Sequence, residues 1–305
     1  MKKLKKMMAT AVAMLMMLAL TAGCGGSPSS SAPSDVSSAS DTPSAPAAND
    51  TTDYSSYGAD VQAILDAGVL KVGVKSDVIG FGYMDPLTGT YEGMEIDIAG
   101  KIAELLGVSV EFTTVTAATR TELLDAGDIN CVLATFTISD ERKQSWDFTT
   151  PYYTDRVTVL VKDSSGITDL AGLVDKTVGV SSGSNSAKNL TNAMVEAGLI
   201  DGGSFSADTF DPATWSTGVS YKQYEDYPSI SIALEANEVD AFCVDRSILA
   251  AYKTAGRSYI DAEFAPQDYG IATTKGSGFS ALCEELITQW LADGTIDGLV
   301  AQYGL

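Results

Sequence analysis

The chain has 305 residues and not one histidine. Triads that rely on an imidazole base and metal sites built on imidazole ligands are excluded at once. Cationic side chains are scarce too: 19 Lys and Arg face 40 Asp and Glu, a net charge of −21. Nucleic acid and anionic membrane surfaces are poor partners for such a polyanion. Of the 4 cysteines, Cys24 stands apart near the N-terminus. Cys131, Cys243 and Cys283 show no paired spacing, so they are expected as small buried hydrophobes rather than a disulfide framework. No group of carboxylates has the spacing of a calcium loop, and neither metal nor cofactor is expected. No apolar run reaches the ~20 residues of a membrane-spanning helix.

What is present begins with Lys2, Lys3, Lys5 and Lys6, then an apolar run from Met7 to Leu20, then Thr21-Ala22-Gly23-Cys24. A cationic start, a short apolar run and small residues are the layout of a secretory signal. The segment resembles a lipoprotein signal peptide over residues 1–23, with Cys24 as the lipidated first residue of the mature chain. Thr21 stands where a larger aliphatic is usual, and Leu20 compensates. The implied location is extracytoplasmic, lipid-anchored to the cell membrane. Removal of residues 1–23 leaves 19 − 4 = 15 basic against 40 acidic residues, a mature charge of −25. Residues 24–57 are dominated by Ser, Pro, Ala and Asp, which bury too little apolar surface to fold, and a flexible tether is expected there.

The remaining chain alternates short apolar strands with helical periodicity: a strand over Val69–Val74, a helix around Ile96–Leu106, a strand over Ser109–Thr114, a helix around Thr121–Ala126, and a strand at Cys131. The alternation restarts at Thr177-Val178-Gly179-Val180, with a loop over residues 181–185 and a helix from about Ser186. This is an α/β pattern with largely parallel sheets and room for two units.

The stretch Ala134 to Tyr153, ATFTISDERKQSWDFTTPYY, carries the most chemical information. Ser139 reads as the N-cap of a short helix containing Arg142, so free N–H groups and a guanidinium fork converge in a way that suits a carboxylate. Taken alone, Arg142 reads equally well as a solvated surface arginine. Further on, Val239 to Asp245 runs a second apolar strand into an acid that could accept from an ammonium. Capping of the following helix is the alternative use of Asp245.

These motifs resemble solute-binding protein family 3, the polar-amino-acid-binding proteins that feed ATP-driven importers. The resemblance runs from about Asp60 to Leu305 through Leu70–Val74, Glu92–Asp97, Thr137–Arg142, Asp147-Phe148, Pro151–Tyr153, Val178–Val180, Gly183-Ser184, Val239–Ala241 and Tyr269–Ala272. It implies a two-lobed periplasmic-binding-protein-like α/β fold (type II) with two hinge crossovers, near Tyr153–Val157 and Gln267–Ile271. Residues 58–154 and 271–305 would form lobe 1 and residues 155–270 lobe 2, with ligand in the cleft between them. By the same resemblance Arg142 would take the α-carboxylate of an amino acid, helped by Thr137 and by the N–H groups of Ser184 and Asn185. Asp245 would hold the α-ammonium with Thr135, and Phe81 would be an aromatic lid stacked on the ligand. Lys75, Arg120 and the Tyr227 hydroxyl would set the distal pocket. Three buried cations without an anion would be costly, which points to a second ligand carboxylate, hence L-glutamate or L-aspartate.

The expected protein is therefore a monomeric binding protein, not an enzyme, that delivers its ligand to membrane permease subunits. A neutral ligand such as glutamine, asparagine or cystine is the alternative, with Lys75 turned outward. The same fold also hosts dehydratases of prephenate type, for which a general acid is needed and no motif nominates one. The stretch 206–220 reads as an unusually long surface loop.

Overall fold

The computed structural model describes residues 53–305; the signal peptide, Cys24 and most of the tether lie outside the described residues. Among the described residues no helix is long and apolar enough to cross a membrane.

One sheet has the strand order Ser109–Thr114, Val69–Val74, Cys131–Leu133, Ala272–Thr274, Trp146–Phe148. Its first three members are parallel, and Ala272–Thr274 runs antiparallel to both of its neighbours. The other sheet has the order Val219–Tyr224, Lys176–Ser181, Ala241–Asp245, Tyr153–Lys162, Arg257–Tyr259, with Phe264–Tyr269 also pairing Tyr153–Lys162. Here too a parallel trio is joined to antiparallel strands. Both sheets are thus mixed where largely parallel ones were expected. The long Tyr153–Lys162 strand and the late Ala272–Thr274 strand enter by direct connections rather than by helical crossovers, which alone produce parallel neighbours.

The helices form where apolar residues recur at helical spacing. Met94–Leu106 buries Met94, Ile98, Ala99 and Ile102 on one face and stops at Gly107, whose φ of +68° suits the left-handed C-terminal turn. Tyr227–Glu235 is started by the Asp226 carboxylate, which accepts from the Ser229 N–H, and by Pro228 in the first turn. Cys131, Cys243 and Cys283 are all buried and unpaired in these layers.

The chain passes between the sheets in two strands that run side by side. Tyr153 faces Tyr269 across the antiparallel pair, Thr154 faces Asp268, and Asp155 faces Gln267. The tether reading overreaches at its end: Tyr54–Tyr57 form a short 3-10 turn capped by Asp53. Tyr54 and Tyr57 pack on the core, and the Tyr57 hydroxyl donates to Glu285. Two tyrosine rings supply the apolar surface that the preceding Ser/Pro/Ala stretch lacks.

Candidate functional site

The Cys131–Leu133 strand ends in a kink at Thr135, whose φ of +44° is a left-handed conformation rarely adopted by a β-branched residue. Such a turn costs on the order of 1–2 kcal/mol. It directs the Thr135 N–H onto Glu95 Oε1 at 2.6 Å and leaves the Ala134 and Thr135 carbonyls accepting from Arg120 Nη1, at 3.0 and 3.5 Å. Arg120, the first residue of the helix Arg120–Ala126, is 4% exposed.

Arg142 sits at the corner the sequence indicated, with its Nη1 donating to the Thr137 carbonyl at 2.7 Å. The helix there is a single 3-10 turn, Arg142–Gln144. Its N–H groups are already used: Arg142 donates to Ser139 Oγ, Lys143 to the Ser139 carbonyl and Gln144 to the Glu141 carbonyl. The corner therefore offers a guanidinium but not the free N–H groups expected of a first helical turn.

Both guanidiniums lie over one ring. Arg120 is 3.8 Å and Arg142 4.6 Å from the centroid of Phe136, within cation–π range. Among the described residues no carboxylate lies within 4.0 Å of either, and Arg120 Nε is buried without a partner. Burial pulls Arg120 down to about 10; burial and then the nearby Arg120 charge pull Arg142 down to about 9.

Lys75, 2% exposed, follows the Val69–Val74 strand. Its Nζ lies 3.5 Å from Asp77 Oδ1 and 4.6 Å from the centroid of Tyr227, and burial pulls its pKa down. Asp77 Oδ2 also accepts from the Tyr227 N–H at 3.2 Å, tying the two lobes together. The lysine thus has its counter-ion within the chain, which removes it from the argument that three buried cations need a ligand anion. Tyr227 meets it with a ring face.

Asp245 ends the Ala241–Asp245 strand and makes no capping bond to the helix after it. Asp155 does that instead, accepting from the Ser247 N–H at 3.0 Å. Asp245 Oδ2 accepts from the Tyr269 hydroxyl, which also reaches Asp155 Oδ2 at 3.4 Å. Burial, reinforced by the Asp155 charge, pushes the Asp245 carboxyl up to about 7. Glu95 is wholly buried, accepts from Thr135 and from the Tyr152 hydroxyl, and is pushed up by burial to about 7.

Gly183 brings the loop before the helix Ser186–Glu196 against Ala117 and Ala118. A Cβ there would lie 2.7 Å from Ala118 Cα, and φ is +74°, so only glycine permits so close an approach. The neighbouring Ser184 N–H donates to the Ser181 carbonyl rather than standing free, while its Oγ is buried without a partner. Asn185 Nδ2 and Thr137 Oγ1 both donate to Gln267 Oε1, at 3.0 and 2.8 Å.

A cavity of about 420 Å³ is bordered by Arg120, Arg142, Phe136, Ser184 and Asn185. Lys75, Thr135, Thr137, Tyr227 and Asp245 are buried outside its lining. The lid expected of Phe81 is corrected: the ring is 0% exposed and packs edge-on against Tyr153 and Tyr269, 5.1 and 5.6 Å between centroids. Those two rings cover Phe81, and Phe136 is the aromatic that borders the cavity instead. The long loop also has a role, because Ala207, Asp208, Phe210 and Pro212 line the same cavity. An aromatic cluster of Phe205, Phe210 and Trp215, packed on Tyr221, holds it in place.

Asp77, Glu95, Phe136, Gln267 and Tyr269 were not anticipated as parts of this constellation. Signals existed for two of them. Glu95 shares the helical face of Ile98, Ala99 and Ile102, and Asp77 lies two residues after Lys75, on the same side of an extended chain.

Residues 70–305 match the bacterial extracellular solute-binding proteins, family 3. The chain is 31% identical to the ABC transporter glutamine-binding protein GlnH of Bacillus subtilis, over 79% of this chain and 83% of the relative. It is 26% identical to the glutamate-binding protein GluB of Corynebacterium glutamicum, over 81% and 82%. Among solved structures, an ancestral arginine-binding protein bound to arginine superposes with a TM-score of 0.65 at 29% identity, covering 77% of this chain and 98% of the other. An ancestral amino acid-binding protein, a precursor of cyclohexadienyl dehydratase, gives 0.66 at 26% identity, covering 81% and 99%. A family match across the folded region, together with two mixed sheets joined by paired strands, makes this chain a member of the bacterial extracellular solute-binding proteins of family 3.

Proposed function

We propose that this protein is the extracytoplasmic receptor of an ATP-driven amino-acid importer and that its cleft captures an acidic L-amino acid, glutamate or aspartate. The observation that carries the reading is the pair of guanidiniums, Arg120 and Arg142, lying over Phe136 without a carboxylate partner among the described residues. A ligand with two carboxylates supplies one to each fork. Arg142 takes the α-carboxylate, Arg120 the side-chain carboxylate, and Asp245 the α-ammonium. Charge-assisted bonds of this kind contribute about 1.5–3 kcal/mol each, so three supply roughly 4.5–9 kcal/mol toward the ~8 kcal/mol of a micromolar complex, and the remaining polar and apolar contacts of the buried ligand offset the ordering costs.

Residues 58–154 with 271–305 act as one lobe and 155–270 as the other, hinged at the paired strands. Closure is favoured only when the cations of one lobe and Asp245 of the other meet opposite ends of one zwitterion. Thr135, Thr137, Ser184 and Asn185 complete the head-group site, and Lys75 with Tyr227 bounds its distal end. Lipidation at Cys24 holds the monomeric receptor beside the permease subunits that accept the ligand.

A neutral ligand is the second reading. Lys75 is already paired with Asp77, and glutamine-binding relatives stand at 31% identity. Thermal stabilisation of the purified protein by each of the twenty L-amino acids, cystine and prephenate decides between them, since ligand at a hundred times its dissociation constant adds about 2.7 kcal/mol. Stabilisation by glutamate or aspartate supports the acidic reading. Stabilisation by glutamine alone replaces it with the neutral one, and stabilisation by prephenate alone removes the transport assignment.

A further inference from the structure

The strand Phe264–Tyr269 is irregular. Its pairing with Tyr153–Lys162 shifts register between Phe264 and Pro266, and Ala265 between them has φ +48°. An extra residue of this kind bends a strand and re-aims the side chains that follow. Here it turns Gln267 inward, where it is 1% exposed. Gln267 Nε2 donates to the carbonyls of Ala265 and Pro266, at 2.8 and 3.1 Å, so the amide clamps the bulge that presents it. Its Oε1 accepts from Thr137 Oγ1 at 2.8 Å and from Asn185 Nδ2 at 3.0 Å. Two donors on one side and two carbonyls on the other fix the amide orientation and can be served together only by an amide.

Thr137 follows the Cys131–Leu133 strand of one sheet, and Asn185 precedes the Ser186–Glu196 helix packed on the other. Thr137 also carries, through its carbonyl, the bond that holds Arg142. A single buried oxygen thus joins the Arg142 corner to the second lobe through the strand that connects them. We infer that Gln267 is the positioning residue that sets Thr137 and Asn185 against each other across the closed cleft, and thereby places Arg142 for the ligand carboxylate. The inference rests on the reading of this cleft as an amino-acid site. Gln267 itself lies outside the cavity lining and acts through those two residues. Separation of the lobes must break at least one of the two bonds to Oε1, so the amide favours the closed arrangement.

The test is a calorimetric comparison of L-glutamate and L-glutamine binding to the purified wild type, Gln267→Met, Asn185→Ala and the double variant. Methionine keeps the length of glutamine and removes all four bonds. Expected is a loss of about tenfold or more for Gln267→Met, a loss of similar size for Asn185→Ala, and a double variant little weaker than the worse single, because residues sharing one network do not add. Independent contributions would make the two losses multiply, and a role confined to general stability would leave the affinity of Gln267→Met unaltered; either result overturns the inference. Should Gln267→Met not fold, Thr137→Val, which removes the other donor to Oε1 and keeps the Thr137 carbonyl, takes its place in the same comparison. A wild type that binds no amino acid defeats the amino-acid reading and this inference with it, and its own isotherm distinguishes that outcome from the others.

Discussion

Asp77 stands between Lys75 and the second lobe: Oδ1 lies 3.5 Å from Lys75 Nζ while Oδ2 accepts from the Tyr227 N–H at 3.2 Å. The lysine is therefore paired within the chain, whereas among the described residues the Arg120 guanidinium hydrogen-bonds only to carbonyls. Under the proposed acidic-ligand reading, charge selection at the distal pocket would rest on Arg120.

The consequence is an ordering of two variants. Arg120→Met is expected to weaken glutamate binding by roughly 30- to 300-fold, about 2–3.5 kcal/mol, as charge-assisted bonds to a buried group are lost. Lys75→Met, whose partner Asp77 keeps its bond from the Tyr227 N–H, is expected to cost less than about tenfold. Calorimetric affinities for both variants check this, and a larger loss in Lys75→Met contradicts it.

Binding is expected to depend on pH through Asp245. Burial and the Asp155 charge push its carboxyl up to about 7 in the unliganded chain, and an α-ammonium is held only by the ionised form. Affinity therefore declines about tenfold per pH unit as pH falls below 7, and levels above it. Heats of binding measured at pH 6.5 in buffers of differing ionisation enthalpy should reveal proton release, absent in Asp245→Asn.

Glu95 predicts a stability trend of the opposite sense. Burial pushes its carboxyl up to about 7 in the folded chain, well above the usual glutamate range. Its favourable contribution is complete below about pH 4.5 and is lost as pH rises through 7. Glu95→Gln retains an acceptor for Thr135 and Tyr152, so it should raise the unfolding free energy at pH 8 by an amount on the order of 1–3 kcal/mol, and leave that at pH 4 nearly unaffected. A parallel shift at both pH values would contradict this.

Thr135 supplies a backbone prediction. At φ +44°, Thr135→Gly should be more stable than Thr135→Ala by roughly 1 kcal/mol, as relief of the left-handed conformation outweighs the extra freedom of unfolded glycine. Both variants lack the hydroxyl and should lose glutamate affinity to the same extent. Thermal melts and isotherms of the pair separate the backbone from the side-chain effect.

Sequence pattern alone was sufficient for several elements. The strands Val69–Val74 and Ser109–Thr114 occupy the residues expected of them, and the helix expected near Ser186 runs Ser186–Glu196. Local periodicity dictates such segments because each buries one stripe or face whatever it packs against. The mixed character of the sheets was not legible, since strand direction depends on which distant segment becomes the neighbour. Nor was the fate of the Arg142 corner, where Ser139 and Glu141 use the N–H groups that the residue types alone left free.

What the sequence determined by itself was the α/β class, the family motifs, the anionic charge without histidine, and the residue types at Lys75, Arg120, Arg142 and Asp245. What only the tertiary structure decided was their pairing. Lys75 is balanced by Asp77 and Arg120 is not; Phe81 lies beneath Tyr153 and Tyr269 while Phe136 carries both guanidiniums; Gln267 links Thr137 to Asn185. The physical reason is that propensity and periodicity act over a few neighbouring residues, whereas burial, counter-ions and shared hydrogen-bond acceptors are set by chain segments that meet only when the two lobes are assembled.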